Sequence, residues 1–236
     1  MHGLKRLLAA LLPIGLPLPI LSGPLRGRKW ITGAAPGPAK GLSVLINRCE
    51  TGQLAEAERL VTGTSVCFDV GAHAGMYSLL FGLKGKTVFA FEPLPRNIAF
   101  LTRTLALNVL CNVRIIPWAL AGKTGPSRFR EGSHNSEGTL DAKGDMMVFT
   151  ITCDTFCQTY ATHPDVIKID VEGAEIEVLK GAESTLKTFH PALLLSTHGD
   201  GPKKDCFEFL RGLGYQSFKP LDAEVVEKAN EFSITV

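Results

Sequence analysis

From Ser65 onward, short apolar runs alternate with amphipathic stretches. The runs are SVCFDV (65–70), KTVFAF (86–91), NVRII (112–116), DVIKIDV (165–171) and PALLLST (191–197). They are apolar on both alternating faces, which suits strands covered on both sides. Between them, residues 76–83, 97–109 and 175–189 have helical spacing and supply the covers. Another helix is predicted over 50–60, where Leu54, Ala57 and Leu60 recur between polar positions. The order predicts an α/β fold built on a doubly wound, mostly parallel sheet. YQSF (215–218) and EFSITV (231–236) read as strands with no helix between them, so a C-terminal antiparallel hairpin is expected.

Two stretches break the alternation. Residues 128–145 carry Gly132, Ser133, His134, Asn135, Ser136 and Gly138 and read as a long exposed loop, followed by the strand-like MVFTITC (147–153). Residues 1–45 are rich in Pro and Gly, as in GPLRGRKW and GAAPGPAKG, and predict turns and loops. The chain therefore divides into a Pro/Gly-rich arm, 1–49, and one domain, 50–236.

Charge changes the picture of the arm. Residues 1–49 hold seven basic side chains and no acid, leaving 18 basic against 23 acidic beyond them, a net −5. Such an arm can wrap its own domain or touch anionic lipid peripherally. The overall charge of +2 argues against a nucleic-acid-binding surface. Leu7–Leu21 is apolar, but Pro13, Pro17 and Pro19 break it and no small-x-small cleavage site follows. It is also shorter than the ~20 residues that span a bilayer. A cytosolic protein is expected, with its six cysteines reduced and their spacing unsuited to a zinc framework.

The candidate chemistry starts where the first predicted strand ends, at Asp69, Val70, Gly71, Ala72, His73, Ala74 and Gly75. Glycines at a strand-to-helix turn let backbone approach a ligand. Glu92 follows Gly71 by 21 residues, at the end of the next strand, where an acid accepts hydrogen bonds from ribose hydroxyls. The dinucleotide fingerprint would need glycine where His73 stands, and the Walker lysine is absent. Asp69 would repel a pyrophosphate and attract a sulfonium and an amino group. The combination favours S-adenosylmethionine. A nicotinamide-dependent oxidoreductase, or a nucleoside-binding module without catalysis, shares much of the pattern.

DVGAHAGMYSLLF (69–81), FEPLPRNIAFL (91–101), IIPWAL (115–120) and KIDVEGAEIEVLKGA (168–182) resemble the FkbM family of S-adenosylmethionine-dependent methyltransferases. The likeness runs from about residue 50 to 200, and the last motif is the most specific. It implies a class I methyltransferase fold, Rossmann-like, acting on hydroxyl oxygens of sugars, glycans or secondary metabolites. It also implies that Asp69, Gly71 and Gly75 line the methionine part of the cofactor, with Glu92 on the ribose and Asn97 supporting it. Trp118 and Ala119 would sit beside adenine. One departure stands out: the family pattern has a glutamate two positions before the histidine, and here that place is Ser196.

Methyl transfer needs a positioned acceptor and a route for its proton. Candidates lie at the carboxyl ends of strands: Asp170 and Glu172 after the fourth, His198 after the fifth. His198 has the unperturbed pKa of a base near neutrality. Asp170 could serve instead if the Glu172 charge raised its own pKa, or could orient the acceptor hydroxyl or the cofactor amine. Three donors of unknown geometry do not make a metal site, so the sequence reading is one without metal.

Overall fold

In the computed structural model, which describes residues 13–34, 41–132 and 138–236, a hairpin of β1 (Pro17–Pro19) and β2 (Lys29–Ile31) precedes helices α1 (Leu42–Leu45) and α2 (Thr51–Leu60). The alternating part begins with β3 (Val66–Val70), α3 (Met76–Lys84), β4 (Thr87–Phe91), α4 (Pro95–Leu107) and β5 (Val113–Ile116). Next come β6 (Ala119–Leu120), β7 (Gly125–Glu131), β8 (Gly138–Leu140), β9 (Met146–Ile151) and α5 (Cys153–Tyr160). Then follow β10 (Val166–Ile169), α6 (Glu175–Lys180), α7 (Glu183–Phe189), β11 (Ala192–Ser196), α8 (Asp200–Gly212), β12 (Ser217–Pro220) and β13 (Glu231–Thr235). The sequence readings for 1–12, 35–40 and 133–137 lie outside the described residues.

Seven strands form one sheet in the order β12-β13-β11-β10-β3-β4-β5. The pairs from β11 to β5 are parallel, while β13 runs antiparallel to β11 and to β12. The expected terminal hairpin is present, with a 3-10 turn at Val226–Lys228 between its strands. From β3 the chain winds outward through β4 and β5, returns beside β3 as β10, and continues the other way to β11. That reversal of strand order opens a crevice at the carboxyl ends of β3 and β10.

Both faces of the sheet are covered. On one, Phe68, Phe89 and Phe91 surround Phe156 of α5, with ring centroids 4.8 to 5.5 Å apart at steep angles. This edge-to-face geometry suits the aromatic quadrupoles. On the other, Cys67, Val88 and Leu194 pack with Leu54, Leu80 and Phe81, and with Trp30 and Ile31 from the N-terminal hairpin.

Four expectations change. Within 1–45, read as turns and loops, the described residues form β1, β2 and α1. Residues 128–145 are not one loop: Arg128–Glu131 belongs to β7 and Gly138–Leu140 is β8, in a second sheet ordered β6-β9-β7-β8. In β7 Phe129 is the buried residue among polar or exposed neighbours, so little apolar signal marks the strand. The single helix expected over 175–189 divides at Gly181, where a Cβ would run into the carbonyl oxygen of Ala121. Cys153, read as the end of a strand, starts α5 because the Thr152 hydroxyl accepts the Thr155 N–H at 3.0 Å and caps the helix.

Candidate active site

The turn after β3 is shaped by close approach. Gly71 has φ 73, and a Cβ there would strike the carbonyl oxygen of Asp170 at the end of β10. Only glycine fits both the backbone and the space. His73 also adopts a left-handed conformation, φ 51, at the place where a dinucleotide turn would carry glycine. Its N–H donates to Glu92 Oε2 at 2.8 Å, joining the turn to the end of β4. Glu92 Oε1 accepts from the Leu94 N–H at 2.9 Å and from Asn97 Nδ2 at 3.3 Å. Burial raises the Glu92 pKa even though these donors oppose the rise.

One cleft runs along these strand ends. Of the residues singled out in the sequence, Gly71, Ala72, Glu92, Asn97, Ala119, Asp170 and Glu172 line it. Gly75 does not; it begins α3 with φ 92, and a Cβ there would meet the Leu101 side chain of α4. Trp118 packs on Phe149 of the second sheet, ring centroids 5.4 Å apart, and is also absent from the lining.

Asp69 needs a correction. Strand alternation turns it to the face covered by α3, opposite Lys168 of β10. Its side chain is wholly buried, accepts from Ser78 Oγ at 2.6 Å, and lies 3.7 Å from Lys168 Nζ. It does not line the cleft; burial raises its pKa against the opposing Lys168 charge, and its Oδ1 has no hydrogen-bond partner. Lys168 is the residue that reaches the cleft, with Nζ donating to the Gly71 carbonyl at 2.9 Å. Burial opposes its charge, but the carboxylates of Asp170, Asp69 and Glu50 outweigh burial and raise its pKa.

Asp170 and Glu172 line the cleft, and the fold brings His198, which is outside the lining, beside them. His198 Nε2 is 3.8 Å from Asp170 Oδ1 and 3.3 Å from Glu172 Oε2. Its Nδ1 is 2.7 Å from Oε1 of Glu175, a wholly buried residue at the start of α6. The Glu175 hydrogen bond leads, and the Glu172, Glu175 and Asp170 charges add to it; together they outweigh burial and raise the imidazole pKa to about 9. The carboxylate beside His198 thus comes from Glu175, while Ser196 accepts from Gln53 Nε2 at 3.2 Å.

Other contributors escaped the sequence reading. Lys168 carried a usable signal, a lysine in the middle of a buried apolar run. Glu50, Tyr77, Phe129 and Leu140 also line the cleft, yet they come from separate elements and share no motif. In the sequence His73 marks only a missing glycine; burial first, and then the Lys168 charge, lower its pKa to about 4.

Residues 69–217 match the Methyltransferase FkbM domain. Hexuronic acid methyltransferase AglP of Haloferax volcanii is 31% identical over 143 residues, which cover 58% of this chain and 58% of that protein. The match thus spans less than two thirds of the curated relative. Methyltransferase FkbM from Methylobacillus flagellatus KT superposes with a TM-score of 0.56 at 17% identity, over 84% of this chain and 54% of the other. Ribosomal protein L11 methylase from Lactobacillus delbrueckii subsp. bulgaricus gives a TM-score of 0.50 at 13% identity, over 78% and 76% of the two chains. At these identities the structural likeness shows the fold alone. The domain match is stronger: it covers more than half of the sequence and runs from the β3 turn past His198, so the chain belongs to the FkbM methyltransferase family.

Proposed function

We propose that residues 50–236 transfer a methyl group from S-adenosylmethionine to a hydroxyl oxygen of a sugar, glycan or related metabolite. The observation that carries this reading is the convergence of Gly71, Glu92 and Asp170 on one cleft at the reversal of strand order. The residues present fit an adenosyl cofactor. Gly71 leaves bare backbone beside the cleft, and buried His73 Nε2 at the same wall has no hydrogen-bond partner. Protein donors occupy three acceptor sites of Glu92, and a carboxylate offers about four, so one is left for a ribose hydroxyl.

When bound, S-adenosylmethionine would supply a methyl carbon activated by a cationic sulfur, with the neutral thioether as the leaving group. Asp170 and Glu172 orient the acceptor hydroxyl at the rim and receive its proton. His198, held as an imidazolium near neutrality, is a poor base there and serves to fix the two carboxylates. The name of the AglP relative favours a sugar acid as acceptor. Residues 1–49 would act as a basic arm on this domain, with a peripheral lipid contact as a second use. No helix among the described residues is long and apolar enough to cross a membrane.

The test is calorimetry of the full chain with S-adenosylmethionine and with NAD, followed by transfer of labelled methyl to neutral and uronic-acid oligosaccharides. Binding of S-adenosylmethionine alone and an alkali-stable label on sugar are expected. Tighter binding of NAD would overturn the cofactor. A label released by mild alkali would mark an ester and overturn the hydroxyl acceptor.

A further inference from the structure

The rim cluster has a division of labour that charge pairing alone does not require. Asp170 uses its two oxygens separately: Oδ2 lies 3.6 Å from Lys168 Nζ, and Oδ1 faces His198 Nε2. Glu175 lies behind the imidazole on the Nδ1 side, wholly buried, with its second oxygen Oε2 unpartnered. A carboxylate at Nδ1 fixes the ring and its tautomer and leaves Nε2 to coordinate, the usual support of a metal-bound histidine. On the other side of Nε2 stand Asp170 and Glu172, both lining the cleft. The three donor atoms lie within 4.8 Å of one another. Ligands held at ~2.1 Å from one ion stand ~3.0 Å apart when adjacent and ~4.2 Å apart when opposite, so small side-chain shifts would close the set.

We propose that Asp170, Glu172 and His198 form a site for one divalent cation, with Glu175 as its positioning residue. The sequence supplied three donors and no geometry; the fold supplies the convergence and the buried carboxylate behind the ring. Two oxygens and one imidazole nitrogen suit Mn²⁺, Mg²⁺ or Zn²⁺. Three protein donors leave positions free for an acceptor. Resting on the methyl-transfer reading, the substrate class sharpens to molecules that present two neighbouring oxygens, a vicinal diol or a hydroxyl beside a carboxylate. Binding of the ion displaces the His198 proton. In that loaded state Asp170 and Glu172 act as ligands rather than proton acceptors, the ion lowers the pKa of the hydroxyl it holds, and the acceptor's proton leaves to water.

The experiment uses the full chain stripped with a chelator and titrated with Mn²⁺, with free ion followed by electron paramagnetic resonance. One ion per chain is expected, displaced by excess Mg²⁺ or Zn²⁺. Asp170→Asn and His198→Ala should each weaken binding at least tenfold, and Glu175→Gln by roughly 10- to 100-fold as an outer-shell change. Circular dichroism and S-adenosylmethionine affinity of each variant, measured in chelator, check the fold and keep the cofactor reading separate. Wild-type binding no tighter than that of the Asp170→Asn/His198→Ala double variant would overturn the site. Undiminished methyl transfer in chelator would overturn its part in the reaction. Neither result would touch S-adenosylmethionine binding.

Discussion

Lys168 Nζ lies 2.9 Å from the carbonyl oxygen of Gly71, a buried ammonium donating to the turn at which the cleft begins. Asp69 and Asp170 share the same cation at 3.7 and 3.6 Å. Removing one partner of a buried ionic set leaves the others uncompensated, at a cost of roughly 3–5 kcal/mol. Lys168→Met is expected to lower the unfolding free energy in urea by about that much. Asp69→Asn added to it should restore part of the loss. A loss below roughly 1 kcal/mol, the scale of an exposed pair, would show that the lysine does not compensate these carboxylates.

Gly71→Ala and Gly75→Ala should separate function from packing. Both positions have positive φ, so each substitution costs on the order of 1–3 kcal/mol in backbone strain. At Gly71 the new methyl also meets backbone, the Asp170 carbonyl; at Gly75 it meets the end of the Leu101 side chain, which can turn aside. S-adenosylmethionine affinity, followed by calorimetry, should fall at least tenfold for Gly71→Ala and much less for Gly75→Ala. Equal losses would place Gly75 in the cofactor site after all.

The legible part of the site was the part carried by local sequence. The β3 turn, Glu92 and the Asp170–Glu172 pair each follow an apolar strand, and a strand end in a doubly wound sheet is a place as well as a pattern. Asp69 was misread because its neighbours in sequence line the cleft while its own side chain, one step along the pleat, faces Lys168. Glu175 was read only as part of a helix. Its approach to His198 joins residues 23 apart in sequence and depends on where α6 packs. The second sheet was hidden for a similar reason, since β7 shows water a largely polar surface and buries little besides Phe129.

Glu92→Ala is expected to weaken S-adenosylmethionine binding by about 1–3 kcal/mol, the size of a lost partner in a buried hydrogen-bonded site. The substitution also strips acceptors from the N–H groups of His73 and Leu94, so the turn itself should loosen. Glu92→Gln tests the two effects apart, because its one carbonyl oxygen can serve the turn or the ribose but not both fully. An unchanged dissociation constant for both variants would remove Glu92 from the cofactor site.

Glu56 gives a prediction about acid stability. It fastens α2 to the C-terminal strands: Oε1 accepts from Arg59 Nη2 at 2.7 Å and Ser233 Oγ at 3.0 Å, and Oε2 from Lys219 Nζ at 3.0 Å. The Arg59 hydrogen bond first, with those of Lys219 and Ser233, lowers its pKa from 4.5 to about 2 against the opposing effect of burial. A folded pKa below the unfolded one means that the ionised form favours the folded state. The contribution is complete above pH 4.5 and disappears as the pH falls toward about 2. Glu56→Gln removes the titration, so its urea midpoint should fall less steeply than the wild type's across that window. The gap between the two proteins should therefore narrow with acidity. Parallel curves down to pH 2 would show that the carboxylate is no better held in the folded chain than in the unfolded one.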